Sequence, residues 1–271
     1  MTTETVLITG ASSGIGHATA EHFHQQGWNV VATMRTPDDS DLHQLDNTLV
    51  TRLDVTDIDS IDGAVQAALD RFGAIDVLVN NAGYGALEAV PRDAMVRQID
   101  TNLVGVLDVT RAVLPTMRKR GDGVVINVSS VGGQIPFPFN SLYHATKFGL
   151  EGATESLAFE LGGIGIRVKI IQPGSIATDF LGRSFDFHDN PDLPEYRTMM
   201  DALNHAITQR RGSPQTASPP SVVAEVIYRA ATDGTDTIRY PAGDNATDFL
   251  SLRDGKTDEE YIAATRKQFG L

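Results

Sequence analysis

Short apolar, β-branched runs alternate with longer amphipathic stretches along most of the chain. Val6-Leu7-Ile8-Thr9 predicts a strand, and Asn29–Thr33, Leu49–Leu53, Val77–Asn80, Val124–Val128 and Val168–Ile171 repeat its form. Continuous apolar runs suit strands covered on both faces, as in a parallel sheet. Between them His17–Gln26, Ile58–Phe72, Met95–Arg118 and Tyr143–Leu161 predict helices. This β-α-β alternation predicts an α/β fold: a doubly wound parallel sheet with helices on both faces. No internal repeat and no linker interrupts the pattern, so residues 1–271 are expected to form a single domain.

The pattern breaks after Pro173. Residues 178–220 are irregular and rich in Asp, Pro, Ser and Arg, yet carry Phe180, Leu181, Phe185, Phe187, Met199 and Met200. So long an irregular stretch is uncommon in a compact domain unless it serves a function or is disordered. The apolar side chains need something to bury against, which favours a lid over a substrate rather than a plain surface insertion. Helix Ser221–Ala231 and strand Thr237–Tyr240 then return to the sheet. In the C-terminal extension, 241–271, Thr257–Phe269 predicts a surface helix with Thr257 and Glu260 as a capping box.

Composition removes several classes of function. The 271 residues are 41% hydrophobic and 21% charged, ordinary for a globular protein, and the formal net charge is −13. That charge argues against nucleic-acid and anionic-membrane partners. The absence of cysteine excludes disulfides, thiolate zinc sites and cysteine nucleophiles. No apolar run reaches the roughly 18 residues of a membrane span. The opening MTTETVLITG has neither a basic region nor an apolar targeting segment, so a cytoplasmic protein is expected.

The first strand runs into TGASSGIG, with Gly10, Gly14 and Gly16 spaced around Ser12, Ser13 and Ile15, and a helix follows. Glycines allow a tight turn and close approach of a ligand. The helix N-terminus beyond offers free N–H groups and a positive dipole end to a phosphate. This strand-turn-helix context predicts a dinucleotide site. At the end of the second strand an acidic residue would accept a hydrogen bond from the ribose 2′-hydroxyl of NAD, whereas a basic one would pair with the 2′-phosphate of NADP. Here Met34 stands where an Asp would be expected and Arg35 follows, which predicts a preference for NADP(H). NAD(H) use is the alternative if Arg35 points away.

SLYHATK sets Tyr143 and Lys147 four residues apart, on one face of a helix. An ammonium held near a phenol favours the phenolate. TGASSGIG, NNAG at Asn80–Gly83, NVSS at Asn127–Ser130, YHATK at Tyr143–Lys147 and PGSIAT at Pro173–Thr178, in that order over roughly residues 4–180, resemble a short-chain dehydrogenase/reductase, a Rossmann-fold oxidoreductase. The resemblance implies Tyr143 as catalytic acid/base, Ser130 as catalytic serine rather than its neighbour Ser129, Lys147 as the ribose-holding lysine and Asn102 as anchor of a proton-relay water. It implies cofactor contacts at Asp54, Val55, Asn80, Ala82, Gly83, Pro173, Gly174, Ile176 and Thr178, besides Tyr143 and Lys147. No metal is expected.

The chemistry of the residues agrees. A free tyrosine has a pKa of about 10, too high for easy proton exchange near neutrality. Lys147 would favour the phenolate, Ser130 could polarise a substrate oxygen, and Tyr143 could donate or accept the proton. Tyr84, Gln134, Phe137 and Phe180 are the expected substrate contacts, pointing to a hydrophobic ketone, aldehyde or secondary alcohol of steroid-like, retinol-like or xenobiotic type. Phe137 and Phe139 could equally serve the core. The C-terminal sequence lacks the glycine-rich strand with which many family members build a tetramer. A homodimer through the Tyr143 and Met95–Arg118 helices is expected instead, although Gly149, Gly152 and Ala153 could also pack inside one subunit. A non-catalytic NADP(H) sensor is the reading from another functional class. Retention of Asn102, Ser130, Tyr143 and Lys147 argues against it.

Overall fold

In a computed structural model, residues 3–80, 90–178, 196–199, 201, 203, 205 and 217–271 are described. Seven parallel strands form one sheet in the order β3-β2-β1-β4-β5-β6-β7. They are β1 Thr5–Thr9, β2 Asn29–Met34, β3 Thr48–Arg52, β4 Val77–Asn80, β5 Gly123–Val128, β6 Ile166–Pro173 and β7 Arg239–Ala242. The helices are α1 Gly14–Gln25, α2 Ile58–Phe72, α3 Arg92–Ile99, α4 Gly105–Arg120, α5 Ser141–Gly162, α6 Pro220–Thr232, α7 Ala246–Leu250 and α8 Asp258–Phe269. The expected doubly wound parallel sheet is thus present.

Each sheet face has its own core. On one, Phe23, Trp28, Val223 and Ile227 of the α1–α6 side pack on Val6, Ile8, Ile126 and Ile171. On the other, Ile61, Val65, Val109, Val113 and Leu161 pack on Leu7, Leu78 and Val125. The order in which successive strands join the sheet reverses between β1 and β4, so the crevice at the C-terminal ends of those strands is where a ligand would bind in this fold.

Two elements depart from the sequence reading. The single helix expected over Met95–Arg118 is divided by one π-helical turn, Asp100–Val104. Immediately after it the backbone of Gly105 lies so close to Val55 that a β-carbon there would overlap the Val55 carbonyl. The wider turn accommodates that approach, and such bulges cluster at functional sites. The last strand begins at Arg239 instead of Thr237. The carbonyls of Thr235 and Thr237 instead accept hydrogen bonds from the buried Lys169 Nζ, at 2.5 and 3.0 Å. The capping box of α8 forms as expected, with reciprocal Thr257 and Glu260 bonds.

Candidate active site

The glycine turn leaves β1 at its C-terminal end. Gly10 and Gly14 have φ of +67° and +58°, conformations that favour glycine. A β-carbon on Gly16 would overlap the Gly10 carbonyl, and one on Gly14 would sit 3.3 Å from Thr178 Cγ2. The turn is pinned to β2 by the Ala11 N–H, which donates to the Thr33 carbonyl at 2.9 Å. Ser12 and Ser13 are exposed, while Ile15 is half-buried against the core. Ser13 caps α1 without a side-chain bond, and no acidic residue stands in the first turn. The N-terminus of α1 therefore keeps its positive character. Arg35, the first residue beyond β2, is exposed, whereas Met34 is buried.

The neighbouring strand ends carry the other expected cofactor positions. Asp54 follows β3 and folds its carboxylate back onto Thr56, accepting from the N–H at 3.0 Å and from Oγ1 at 2.8 Å. Val55 lies against Gly105. Asn80 ends β4 and donates to Asn127 Oδ1 at 3.1 Å; Asn127 in turn donates to Thr154 Oγ1 at 2.8 Å. This chain of amides ties β4, β5 and α5 together under the site. Ala82, Gly83, Tyr84 and Phe180 lie outside the described residues, as does most of 178–220.

The two ends of that irregular stretch meet. Ile176 pairs with Ser218 as a parallel bridge, the Ala177 N–H donates to the Ser218 carbonyl at 2.8 Å, and the Ser218 N–H donates to the Ser175 carbonyl at 3.0 Å. Pro173 closes β6. The backbone of Gly174 abuts Asn245, whose Oδ1 accepts from the Ser175 N–H at 2.9 Å.

Across the crevice, α5 presents Tyr143 and Lys147. Lys147 is almost wholly buried; its Nζ donates to the Val128 carbonyl at 3.0 Å and lies 5.9 Å from the centre of the Tyr143 ring. Burial pushes its ammonium down to about 8, with Glu151 pulling weakly the other way. Ser130, just beyond β5, is half-buried and accepts the Gly132 N–H at 3.0 Å. Ser129 is buried, its Oγ without a hydrogen-bond partner among the described residues, and it sits with Glu151 against Gly133. Of the two serines, Ser130 is the more accessible. Asn102 lies in the π turn and donates to Thr146 Oγ1 at 3.3 Å; its own Oδ1 is buried without a partner among the described residues. Thr146 passes the link on to the Tyr143 carbonyl at 2.8 Å.

The loop carrying Gln134 and Phe137 is fastened to α5 by His144, which the sequence reading did not single out. Its Nδ1 donates to the Gly132 carbonyl and its Nε2 accepts the Phe137 N–H, both at 2.7 Å. Burial holds this imidazole below its usual pKa, against the upward pull of those bonds. Gln134 is half-buried. Phe137 packs edge-on against Phe249 of α7, 5.5 Å away, and clusters with Phe139, Leu203 and Phe269. Tyr261 of α8 donates to the Pro136 carbonyl at 2.7 Å. The C-terminal extension thus backs this loop, which no local spacing announced.

A family model described as short chain dehydrogenase matches residues 4–188, and the chain belongs to this family of oxidoreductases, whose members use NAD(H) or NADP(H). An uncharacterised oxidoreductase of Schizosaccharomyces pombe is 40% identical over 247 residues, covering 88% of this chain and 100% of that protein. Human 17-beta-hydroxysteroid dehydrogenase type 1 is 33% identical over 290 residues, covering 97% of this chain and 85% of that protein. Among solved structures, a short-chain dehydrogenase from Streptomyces avermitilis superposes with a TM-score of 0.79 at 34% identity, over 99% of this chain and 96% of that one. Among the described residues no helix is long and apolar enough to cross a membrane.

Proposed function

We propose that the protein is an NADP(H)-dependent carbonyl reductase or alcohol dehydrogenase acting on a hydrophobic ketone, aldehyde or secondary alcohol. The observation that carries this reading is the buried Lys147 ammonium beside the Tyr143 ring, across the crevice from the glycine turn. So buried a cation whose one hydrogen-bonded partner among the described residues is a carbonyl costs stability, and such costs persist where chemistry needs them.

The residues fit a dinucleotide. The close Gly10–Gly16 approach, the uncapped α1 N-terminus and the left-handed Gly14 against Thr178 form a cradle that added β-carbons would fill. Gly10, Ser12, Ser13, Gly14, Ile15 and Gly16 would hold the pyrophosphate and Arg35 the 2′-phosphate. Asp54 and Val55 would border the adenine, Asn80 and Lys147 the riboses, and Pro173, Gly174, Ile176 and Thr178 the nicotinamide. When bound, that cofactor supplies or accepts the hydride.

This chain's side chains would manage the oxygen and its proton. The Ser130 hydroxyl already accepts the Gly132 N–H, so its own proton remains for the substrate oxygen. The Tyr143 hydroxyl passes its proton to that oxygen in reduction and takes it back in oxidation. Lys147 stabilises the tyrosinate, and the unpartnered Oδ1 of Asn102 suits a relay water. The aromatic wall around Phe137 favours an apolar substrate, in keeping with the name of the human hydroxysteroid dehydrogenase relative.

Replacing Arg35 with Asp tests the cofactor assignment. A charge-assisted bond to phosphate is worth about 1.5–3 kcal/mol. The variant's NADPH KM is therefore expected to rise about 10- to 100-fold while NADH use improves; an unchanged NADPH preference would sink the assignment.

A homodimer through α5 is part of the same reading. Phe148, Gly152 and Phe159 share one face of the helix, and Phe159 is 89% exposed. A β-carbon on Gly152 would meet nothing within 4 Å, whereas Gly149 packs inside the subunit against Leu103. Phe159→Asp is expected to shift the protein from dimer to monomer in analytical ultracentrifugation at micromolar concentration. A wild-type monomer would end this part of the proposal.

A further inference from the structure

One helical turn beyond Lys147 on α5 stands Glu151, only 3% exposed. Its carboxylate accepts both from Gln172 Nε2 of β6, at 3.0 and 3.2 Å, and from Arg239 Nε of β7, at 3.0 Å. Arg239 also donates to Glu155 Oε1 at 2.7 Å, and Glu155 is exposed. On its other side the carboxylate presses on the backbone of Gly133, in the turn capped by Ser130; a β-carbon there would overlap it. Lys147, Glu151 and Glu155 thus follow one helix face from the crevice to the surface at intervals of four residues.

We propose that Glu151 is a positioning residue for Lys147: its buried carboxylate, one helical turn away, keeps the lysine cationic beneath the crevice, and Arg239, shared with Glu155, pairs with that carboxylate and holds it in place. The inference rests on Lys147 having the role given above, but its test does not.

A buried carboxylate is costly unless paired. Gln172 and Arg239 provide the pairing. Burial is the larger influence on Lys147 and lowers the pKa of its ammonium; Glu151 is the charge that opposes it. Among the described residues, the other groups around Lys147 leave few rivals. On its own helix stand Tyr143 and the buried His144, held below its usual pKa. From β5 come the Val128 carbonyl and Ser129, from β4 Asn80, and from the π turn the neutral Asn102 and the half-buried Asp100. The 3₁₀ turn after Ser130 contributes no charge, and on α3 Arg92, Asp93 and Arg97 are exposed. Lys169 lies across the sheet in its own network with Asp233.

The test is the titration of the lysine ε-carbon resonances in ε-¹³C-lysine-labelled protein without cofactor, with the Lys147 signal assigned by its loss in Lys147→Met. Glu151→Gln preserves the size of the side chain and can still accept from Arg239. Lys147 is expected to titrate lower than in the wild type by about one pH unit, with little change in the urea midpoint. The double variant Glu151→Gln with Arg239→Gln removes both members of the buried pair, so neither is left without the other and the test stays available should the single variant fold poorly. Its shift is expected to have the same sign and smaller size, because both an attractive and a more distant repulsive charge have gone. Glu155→Gln is expected to leave Lys147 unmoved. An unshifted or raised Lys147 titration in the Glu151 variants would overturn the proposal, as would a drop in urea midpoint with no shift, the signature of a purely structural Glu151.

Discussion

Tyr143→Phe is expected to lower kcat by about 10²–10⁴-fold and to leave cofactor affinity within a few-fold of wild type. The substitution removes one oxygen and keeps the ring, which is 95% buried, packs edge-on to His144 and lies 5.9 Å from Lys147 Nζ. The fold loses little, because Lys147 keeps the Val128 carbonyl and α5 keeps its packing. What disappears is the only group in the crevice proposed to exchange a proton with the substrate oxygen. Ser130 cannot replace it, since its hydroxyl has no base among its hydrogen-bond partners in the described residues and is already engaged with the Gly132 N–H. NADPH and NADH consumption should be measured side by side on a panel of hydrophobic ketones and aldehydes, with cofactor binding followed separately by calorimetry. Wild-type turnover that vanishes in the variant while binding persists supports the acid/base role. A variant retaining turnover would refute it.

What the sequence made legible was whatever depends on local conformation. Gly10, Gly14 and Gly16 had to be glycines for this turn, because two take left-handed φ and the third touches a carbonyl. Tyr143 and Lys147 meet because helical residues four apart share a face. Arg35 was placed at the strand end because the β2 run stops at Met34. What escaped depends on contacts distant in sequence. The π turn at Asn102 answers to the approach of Gly105 to Val55, fifty residues earlier in the chain. Glu151 reads as an ordinary helix carboxylate until the fold brings Arg239 to it from 88 residues away. Tyr261 and Pro136 are 125 apart, so the support that the C-terminal extension gives the Phe137 loop had no local signal. A K-x-x-x-E continuation of the Y-x-x-x-K spacing was the one clue to Glu151 that the sequence did contain.

Two buried lysines provide opposite expectations for stability. Lys169 of β6 is fully buried and donates to the Thr235 and Thr237 carbonyls, to the Tyr240 hydroxyl at 3.0 Å and to Asp233 at 3.4 Å. Burial alone would raise the Asp233 carboxyl, but the Tyr240 hydroxyl, the Thr235 N–H and Lys169 together hold it down at about 2. Removing one member of such a network strands the rest, so Lys169→Met is expected to cost about 3–5 kcal/mol. Lys147 has a single carbonyl partner among the described residues, and its ammonium is pushed down to about 8 from an ordinary 10.5. A depressed lysine pKa means that the unfolded chain binds the proton more tightly. Stability is then full above the unfolded value and is lost as pH falls from there through the folded value of about 8. Near neutrality the shift corresponds to about 3 kcal/mol, against which stands about 1 kcal/mol for the Val128 carbonyl that Met would leave unpaired. Lys147→Met is therefore expected to stabilise the fold by about 2 kcal/mol at pH 7 while abolishing turnover, and the gain should shrink towards about pH 10. Urea unfolding of both variants at the two pH values decides the matter. A Lys147 variant less stable than wild type at neutral pH would show that this lysine is held for structure, and the case for a site that sacrifices stability to chemistry would fall with it.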